Sequence, residues 1–184
     1  VELITQHLPI LQIVVPLLAA PLCVILRKPR LVWILAVIVV WTCLAMAGGL
    51  MLQVLANGPI SYHLGGWEPP WGIEYRVDAV NAFILILVSL IGAVVLLYAP
   101  ASLKAELPEA RSSLFYTAYL LCFTGLMGMT ITGDAFNVFV FLEISSLSTY
   151  VLIGMGTDRR ALTASFQYLI MGTIGATFFV IGIG

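Results

Sequence analysis

"GDAFNVFVFLEISSLSTYVLIGMG", Gly133 to Gly156, is apolar for long enough to cross a lipid bilayer, yet one carboxylate, Glu143, stands near its middle. A crossing helix needs about 20 largely apolar residues, and this run supplies them. An ionisable side chain at the centre of such a helix costs roughly 2.5 to 3.5 kcal/mol on insertion scales, and by default it marks an ion pathway, a proton relay or a buried partner. The stretch therefore makes the chain a membrane protein and directs the search for function into the bilayer.

The rest of the chain agrees. Its 184 residues are 61% hydrophobic and 9% charged, with a mean hydropathy of +1.10, well outside what a soluble domain keeps in solution. Eight Lys+Arg against nine Asp+Glu give a formal charge of -1, which excludes a polybasic nucleic-acid surface or an acidic tail. Cys23, Cys43 and Cys122 lie in apolar runs without CxxC or Cys/His spacing and read as small core hydrophobes. The chain opens at Val1 without a methionine and closes at Gly184 inside an apolar run, as expected for fragment boundaries. Three prolines in the first apolar run, with no basic segment before it, argue against a cleaved signal peptide.

Six segments are long enough to cross: His7 to Leu26, Leu31 to Leu55, Ala79 to Pro100, Leu114 to Gly133, Ala135 to Gly156 and Ala161 to Gly184. The fold class is thus an all-α polytopic membrane protein. Arg27, Lys28, Arg30, Lys104, Arg111, Arg159 and Arg160 fall in the loops of one side, and of the eight basic residues only Arg76 falls on the other. That bias predicts an outer N-terminus, with "RKPR" and "DRR" in the cytoplasm.

Between the second and third segments, Asn57 to Asp78 carries two arms, "ISYHLGGW" and "GIEYRVD", around Glu68, Pro69 and Pro70, and predicts a short extracytoplasmic β-hairpin. Tyr62, Trp67, Trp71 and Tyr75 suit an interfacial aromatic belt. His63 has no second His or Cys nearby and reads as a satisfied loop residue. Asp78 and Asp134 read as helix N-caps, and Thr157 or Asp158 as the cap of the sixth helix. Eight glycines in the apolar helices, among them Gly48, Gly125, Gly172 and Gly175, read as close-approach positions. Phosphate-binding glycine loops, nucleophile elbows and His/Cys/carboxylate clusters do not occur, so catalytic, cofactor and metal sites are not expected.

Counting from Ala135, Glu143 lies roughly 12 Å into its helix at 1.5 Å per residue, too deep for a short side chain to reach the surface. Ser146 and Tyr150 share its helical face one and two turns on. Burial disfavours the charged form of an acid and a neighbouring cation favours it, and their balance can set a carboxyl group to exchange protons. The alternative is a protonated acid in an interhelical hydrogen bond. None of the six segments holds a lysine or arginine in its interior, so a cationic partner must come from beyond Gly184 or from another subunit.

The run "GDAFNVFVFLEISSLSTYVLIG", with "RALTASFQYLIMGTIGATFFVIGIG" and "YHLGGWEPPWGIEYRVDAVNAF", resembles the antiporter-like membrane subunits shared by respiratory complex I and the multisubunit Na+/H+ (Mrp-type) antiporters, closest to the D-type subunit. The resemblance implies an initial helix group with its hairpin over residues 1–112 (hairpin 57–78), then the start of an antiporter-like repeat over 113–184. It places Glu143 on the proton path, with Ser146, Tyr150 and Gln167 around it, and buried lysines of the repeat past Gly184. Several relatives carry lysine where Gln167 stands, so direct Glu–Lys coupling is not expected here. Implied partners are other membrane subunits, protons and Na+, in a bacterial cytoplasmic membrane. The rival readings are a redox-driven pump subunit and a structural subunit that passes no ions.

Overall fold

The computed structural model describes residues 6–26, 28–69 and 71–184. Arg27 of the basic turn and Pro70 of the hairpin turn lie outside the described residues, as do residues 1–5. The elements in chain order are α1 (Leu8–Leu26), α2 (Pro29–Asn57), β1 (Ile60–His63), β2 (Glu74–Val77), α3 (Ala79–Glu106), α4 (Ser112–Ile131), α5 (Ala135–Gly154) and α6 (Arg159–Ile183). All six α-helices are long and apolar enough to cross a membrane, and the chain is an integral membrane protein.

The helix ends follow local chemistry. Asp78 accepts from Val80 N (2.8 Å) and Asn81 N (2.9 Å), while Asn81 Oδ1 accepts from Asp78 N (3.2 Å), a reciprocal capping box on α3. Asp134 accepts from Phe136 N (3.3 Å) and Asn137 N (3.0 Å) to start α5. Asp158, rather than Thr157, accepts from Arg160 N to start α6. The second helix begins at Pro29, earlier than Leu31, because a first-turn position needs no N–H and proline's φ is already helical.

Two expectations about the helices change. The third helix does not stop at Pro100 but continues to Glu106. Proline has no N–H for the carbonyl four residues back, and the indole Nε1–H of Trp33 on α2 donates to that Leu96 carbonyl instead (2.9 Å). The second change concerns glycine: among the described residues no neighbouring atom lies within 4 Å of where a Cβ would stand at Gly48 and Gly175, so neither is a close approach between the helices of this chain.

The centre of the bundle is α4, which packs on α1, α2, α3 and α5, with α6 added against α5. Fully buried Leu50, Leu85, Leu96, Leu120 and Met127 fill the space between α2, α3 and α4. Of α6 only Ala176 is buried.

At one end of the bundle β1 and β2 pair antiparallel, with Ile60 opposite Val77 and His63 opposite Glu74. The first arm leaves the sheet at His63, because Leu64–Gly66 form a 3-10 turn with Gly65 and Gly66 at positive φ. Strand alternation turns Tyr75 and Val77 inward, so Tyr75 is 3% exposed and not part of an aromatic belt. Tyr62 is half-buried, its hydroxyl 2.8 Å from His7 Nδ1, whereas Trp67 and Trp71 are exposed. His63 Nε2 lies 3.2 Å from Ser61 Oγ, the satisfied role expected of it. Tyr75 also bridges to Thr132, and Gly133 N donates to Glu74 O (2.9 Å), which ties the hairpin to the α4–α5 turn.

Trp33→Phe leaves the Leu96 carbonyl unpaired and is expected to cost about 1 to 3 kcal/mol. Adding Pro100→Ala restores a backbone donor, so thermal unfolding of the double variant in detergent should recover most of that loss. Burial holds the Tyr75 phenol above its ordinary value of 10.0, a hydrogen bond with Asn137 opposes this, and Tyr62 adds to it. A folded value above the unfolded one means full stabilisation below about pH 10, lost as pH rises through the folded value. The alkaline fall in thermal midpoint should be shallower in Tyr75→Phe than in the wild type.

Candidate functional site

Helix α5 is held on two sides, and the residues that hold it are small or polar. Toward α4, a Cβ on Gly125 would stand 2.6 Å from Ser145 N and 2.7 Å from Phe141 O. Only glycine permits that approach, because both contacts are with backbone, which cannot rotate away. The close approach makes a polar seam. Cys122 Sγ lies 3.4 Å from Thr149 Oγ1 and 3.7 Å from Ser145 Oγ, while Ser148 and Thr149 donate back to Ile144 O (2.6 Å) and Ser145 O (2.8 Å). Cys122 is therefore a weak hydrogen-bonding member of this seam as well as a packing residue.

Toward α6 the contact centres on Tyr150, which is 7% exposed. Ser165 Oγ donates to Tyr150 O (2.7 Å), and the Tyr150 and Tyr168 rings meet edge to face at 5.3 Å. The Tyr150 hydroxyl fills the space where a side chain at Gly172 would begin, the close approach expected of that glycine. Ser165 and Tyr168 carry no motif that marks them in the sequence, although their spacing of three and four residues with Gly172 places all three on one face of a helix.

Glu143 lies two turns before Tyr150 on the same stripe, on the side of α5 away from the Gly125 contact, and is partly buried. Among the described residues its carboxylate makes no hydrogen bond and no ion pair. Ser146, on the same stripe, is also partly buried without a side-chain partner, and Tyr150 closes the stripe two turns on. Gln167 is exposed on α6 and lines a groove with Asp158, Arg159, Arg160 and Thr163. The α6 side chains that meet Tyr150 are thus Ser165 and Tyr168 rather than Gln167.

One further polar side chain is invisible to sequence reasoning. Gln12 of α1 is fully buried, and neither its amide nitrogen nor its amide oxygen has a partner among the described residues. Thr117 Oγ1 donates to Ala20 O (3.2 Å) across the antiparallel α1 and α4, which sets Gln12 at the level of Gly125. A glutamine in an apolar proline-containing run carries no pattern that would mark it. Among the described residues no group of three or more His, Cys, Asp or Glu could hold a metal.

The arrangement is thus a partly buried carboxylate without a hydrogen-bond or ion-pair partner among the described residues, with Ser146 and Tyr150 on its helical stripe. The family model described as "NADH:quinone oxidoreductase/Mrp antiporter, TM" matches residues 132–184, the segment that holds this site. The N-type subunit of the NADH-quinone oxidoreductase of Desulforudis audaxviator is 39% identical over 183 residues, 98% of this chain and 36% of the relative. The D-type subunit of the Na(+)/H(+) antiporter of Bacillus subtilis is 30% identical over 176 residues, 95% of this chain and 35% of the relative. Over nearly all its length the chain is similar to antiporter-like membrane subunits.

This antiporter-like chain spans about a third of the length of the curated relatives it matches. Among solved structures, that of the membrane-bound sulfane sulfur reductase, an archaeal respiratory membrane complex, superposes with a TM-score of 0.87 at 30% identity, covering 96% of this chain and 36% of that one. The Mrp complex from Dietzia sp. gives the same TM-score of 0.87 at 26% identity, covering 98% and 34%.

Gly125→Ala is expected to destabilise the folded bundle by about 1 to 3 kcal/mol, the range for overpacking a tight contact. Gly175→Ala, where the added methyl meets no neighbour, should leave stability unchanged or slightly raised. Thermal unfolding of the two variants side by side in detergent checks the contrast.

Proposed function

We propose that this chain is the proton-handling part of a membrane subunit in a multisubunit monovalent cation/proton antiporter, with Glu143 as the proton carrier. The observation that carries the reading is the partly buried carboxylate of Glu143, without an ion pair or hydrogen bond among the described residues, in the segment that matches the family model. A carboxylate locked in a salt bridge or hydrogen-bond network would hold its proton state. One left free responds to the charge of its surroundings.

In this reading protons reach Glu143 along the stripe of Ser146 and Tyr150, whose hydroxyls both donate and accept. Gln167 sits nearer the start of α6, in one groove with Arg159 and Arg160, where it would meet the protons' aqueous entrance. Sodium is the counter-transported cation, other membrane subunits complete the path, and the seat is the bacterial cytoplasmic membrane. The N-terminus and hairpin face outward, since the basic loops concentrate at the opposite end. The division near residue 112 separates the helices that support the hairpin from the repeat that carries the acid.

A second reading has a specific observation in its favour. Identity to the N-type subunit of the NADH-quinone oxidoreductase is 39%, against 30% to the D-type antiporter subunit. The same acid would then answer to electron transfer in partner subunits rather than to a sodium gradient.

Proton and sodium flux in vesicles bearing the full-length gene product with its neighbouring subunits tests both readings. Glu143→Gln keeps the shape and hydrogen-bonding capacity while removing titration, and should lower proton flux by at least about tenfold with assembly retained. Unchanged flux would remove Glu143 from the path. Flux that requires an electron donor, and not a sodium gradient, would replace the antiporter by the redox-driven pump.

A further inference from the structure

At the end of the bundle opposite the hairpin, the start of α2, the end of α3 and the start of α4 enclose a cavity of about 370 Å³. Its rim carries the exposed Arg30 and Lys104, with the carboxylate of Glu109 as the one acidic group among its lining residues. Among the described residues none of these three charges makes an ion pair. The rim therefore holds two unpaired cations against one anion.

The floor is polar in a way the protein does not itself use. Ser112 is 8% exposed and Tyr116 is 2% exposed, yet both line the cavity and neither hydroxyl has a hydrogen-bond partner among the described residues. Neither hydroxyl is sealed into the packing, so both stay open to the cavity, where a ligand with acceptor oxygens can reach them. The first turn of α2 adds to the attraction, because Lys28 gives it no side-chain cap and its N–H groups face the same end.

The walls are apolar. Leu103, Leu107 and the ring of Trp33 line the cavity, and the indole N–H of Trp33 is already engaged by Leu96 O. Beside it on α2 the side chains of Leu31 and Ile34 are exposed and extend the apolar surface. The site thus joins a cationic rim and unpartnered hydroxyl donors to a greasy flank within one turn of the membrane helix ends. A soluble anion would use the first two and waste the third.

We propose that this cavity seats the phosphate headgroup of an anionic phospholipid from the surrounding leaflet, with its acyl chains along α2. Arg30 provides a planar fork for two phosphate oxygens and Lys104 a point charge. Ser112 and Tyr116 donate to the oxygens that face inward. Net positive charge at the rim selects an anionic over a zwitterionic lipid.

Native mass spectrometry of the intact assembly in detergent, titrated with phosphatidylglycerol, phosphatidylcholine or inorganic phosphate, tests this. Phosphatidylglycerol should bind about tenfold or more tighter than phosphatidylcholine, and Arg30→Gln with Lys104→Gln should remove most of that preference. Arg159→Gln with Arg160→Gln, which changes charge at the same end but outside the cavity, should leave it intact. Tyr116→Phe removes one hydroxyl while preserving packing, and should weaken phosphatidylglycerol binding about threefold. If the double variant at Arg30 and Lys104 does not assemble, undiminished binding by Tyr116→Phe overturns the site. So does an equal loss in the Arg159 and Arg160 variant, equal binding of phosphatidylcholine, or inorganic phosphate that displaces the lipid at millimolar concentration.

Discussion

At Gly125 the backbone of α4 comes so near α5 that an added methyl would meet Ser145 N at 2.6 Å, and the rest of the site follows from that distance. Apolar lipid supplies no hydrophobic drive to bring two membrane helices together, so close packing and weak polar contacts must do it. With α5 pressed against α4, Ser145 and Thr149 reach Cys122. The stripe of Glu143, Ser146 and Tyr150 is then turned away from α4, where the acid finds no fixed partner among the described residues.

The same shortage of partners in an apolar surround governs the backbone. Each carbonyl that a proline leaves unpaired must find another donor inside the protein, and Trp33 supplies one to Leu96 where Pro100 cannot. Tyr119 similarly donates to Gly92 O (2.8 Å) and Asn81 to Thr130 O (2.6 Å), each side chain joining two helices through a main-chain acceptor. These bonds make α2, α3 and α4 one rigid unit. The hairpin fastens to one end of it, and the cavity rimmed by Arg30 and Lys104 opens at the other.

Polar groups in this chain divide by whether the protein satisfies them. The aspartate caps, the Ser61–His63 contact and the seam around Cys122 are paired internally and serve the fold. Glu143 at mid-helix, the buried amide of Gln12, and the hydroxyls of Ser112 and Tyr116 are not paired among the described residues. Of these only the Gln12 amide is sealed away from every partner, the costly arrangement in an apolar surround.

Hydropathy alone determined that the chain crosses the bilayer six times, because each crossing needs its own run of about 20 apolar residues whatever its neighbours do. Helix caps were legible for the same reason: Asp78, Asp134 and Asp158 act on N–H groups two or three residues away. Glu143 stood out because a carboxylate is rare at that depth. Tertiary structure was needed wherever a partner is distant in the chain. The continuation of α3 past Pro100 depends on a donor from Trp33, 63 residues before Leu96. Tyr75 is buried rather than interfacial because strand register turns it onto the α4–α5 turn. Tyr150 meets Ser165 and Tyr168, not Gln167, because the rotation of α6 about its axis is set by the fit of the Tyr150 ring against Gly172. Composition and spacing carry one-dimensional information about depth and local hydrogen bonding, whereas helix rotation and strand facing are decided only when the surfaces meet.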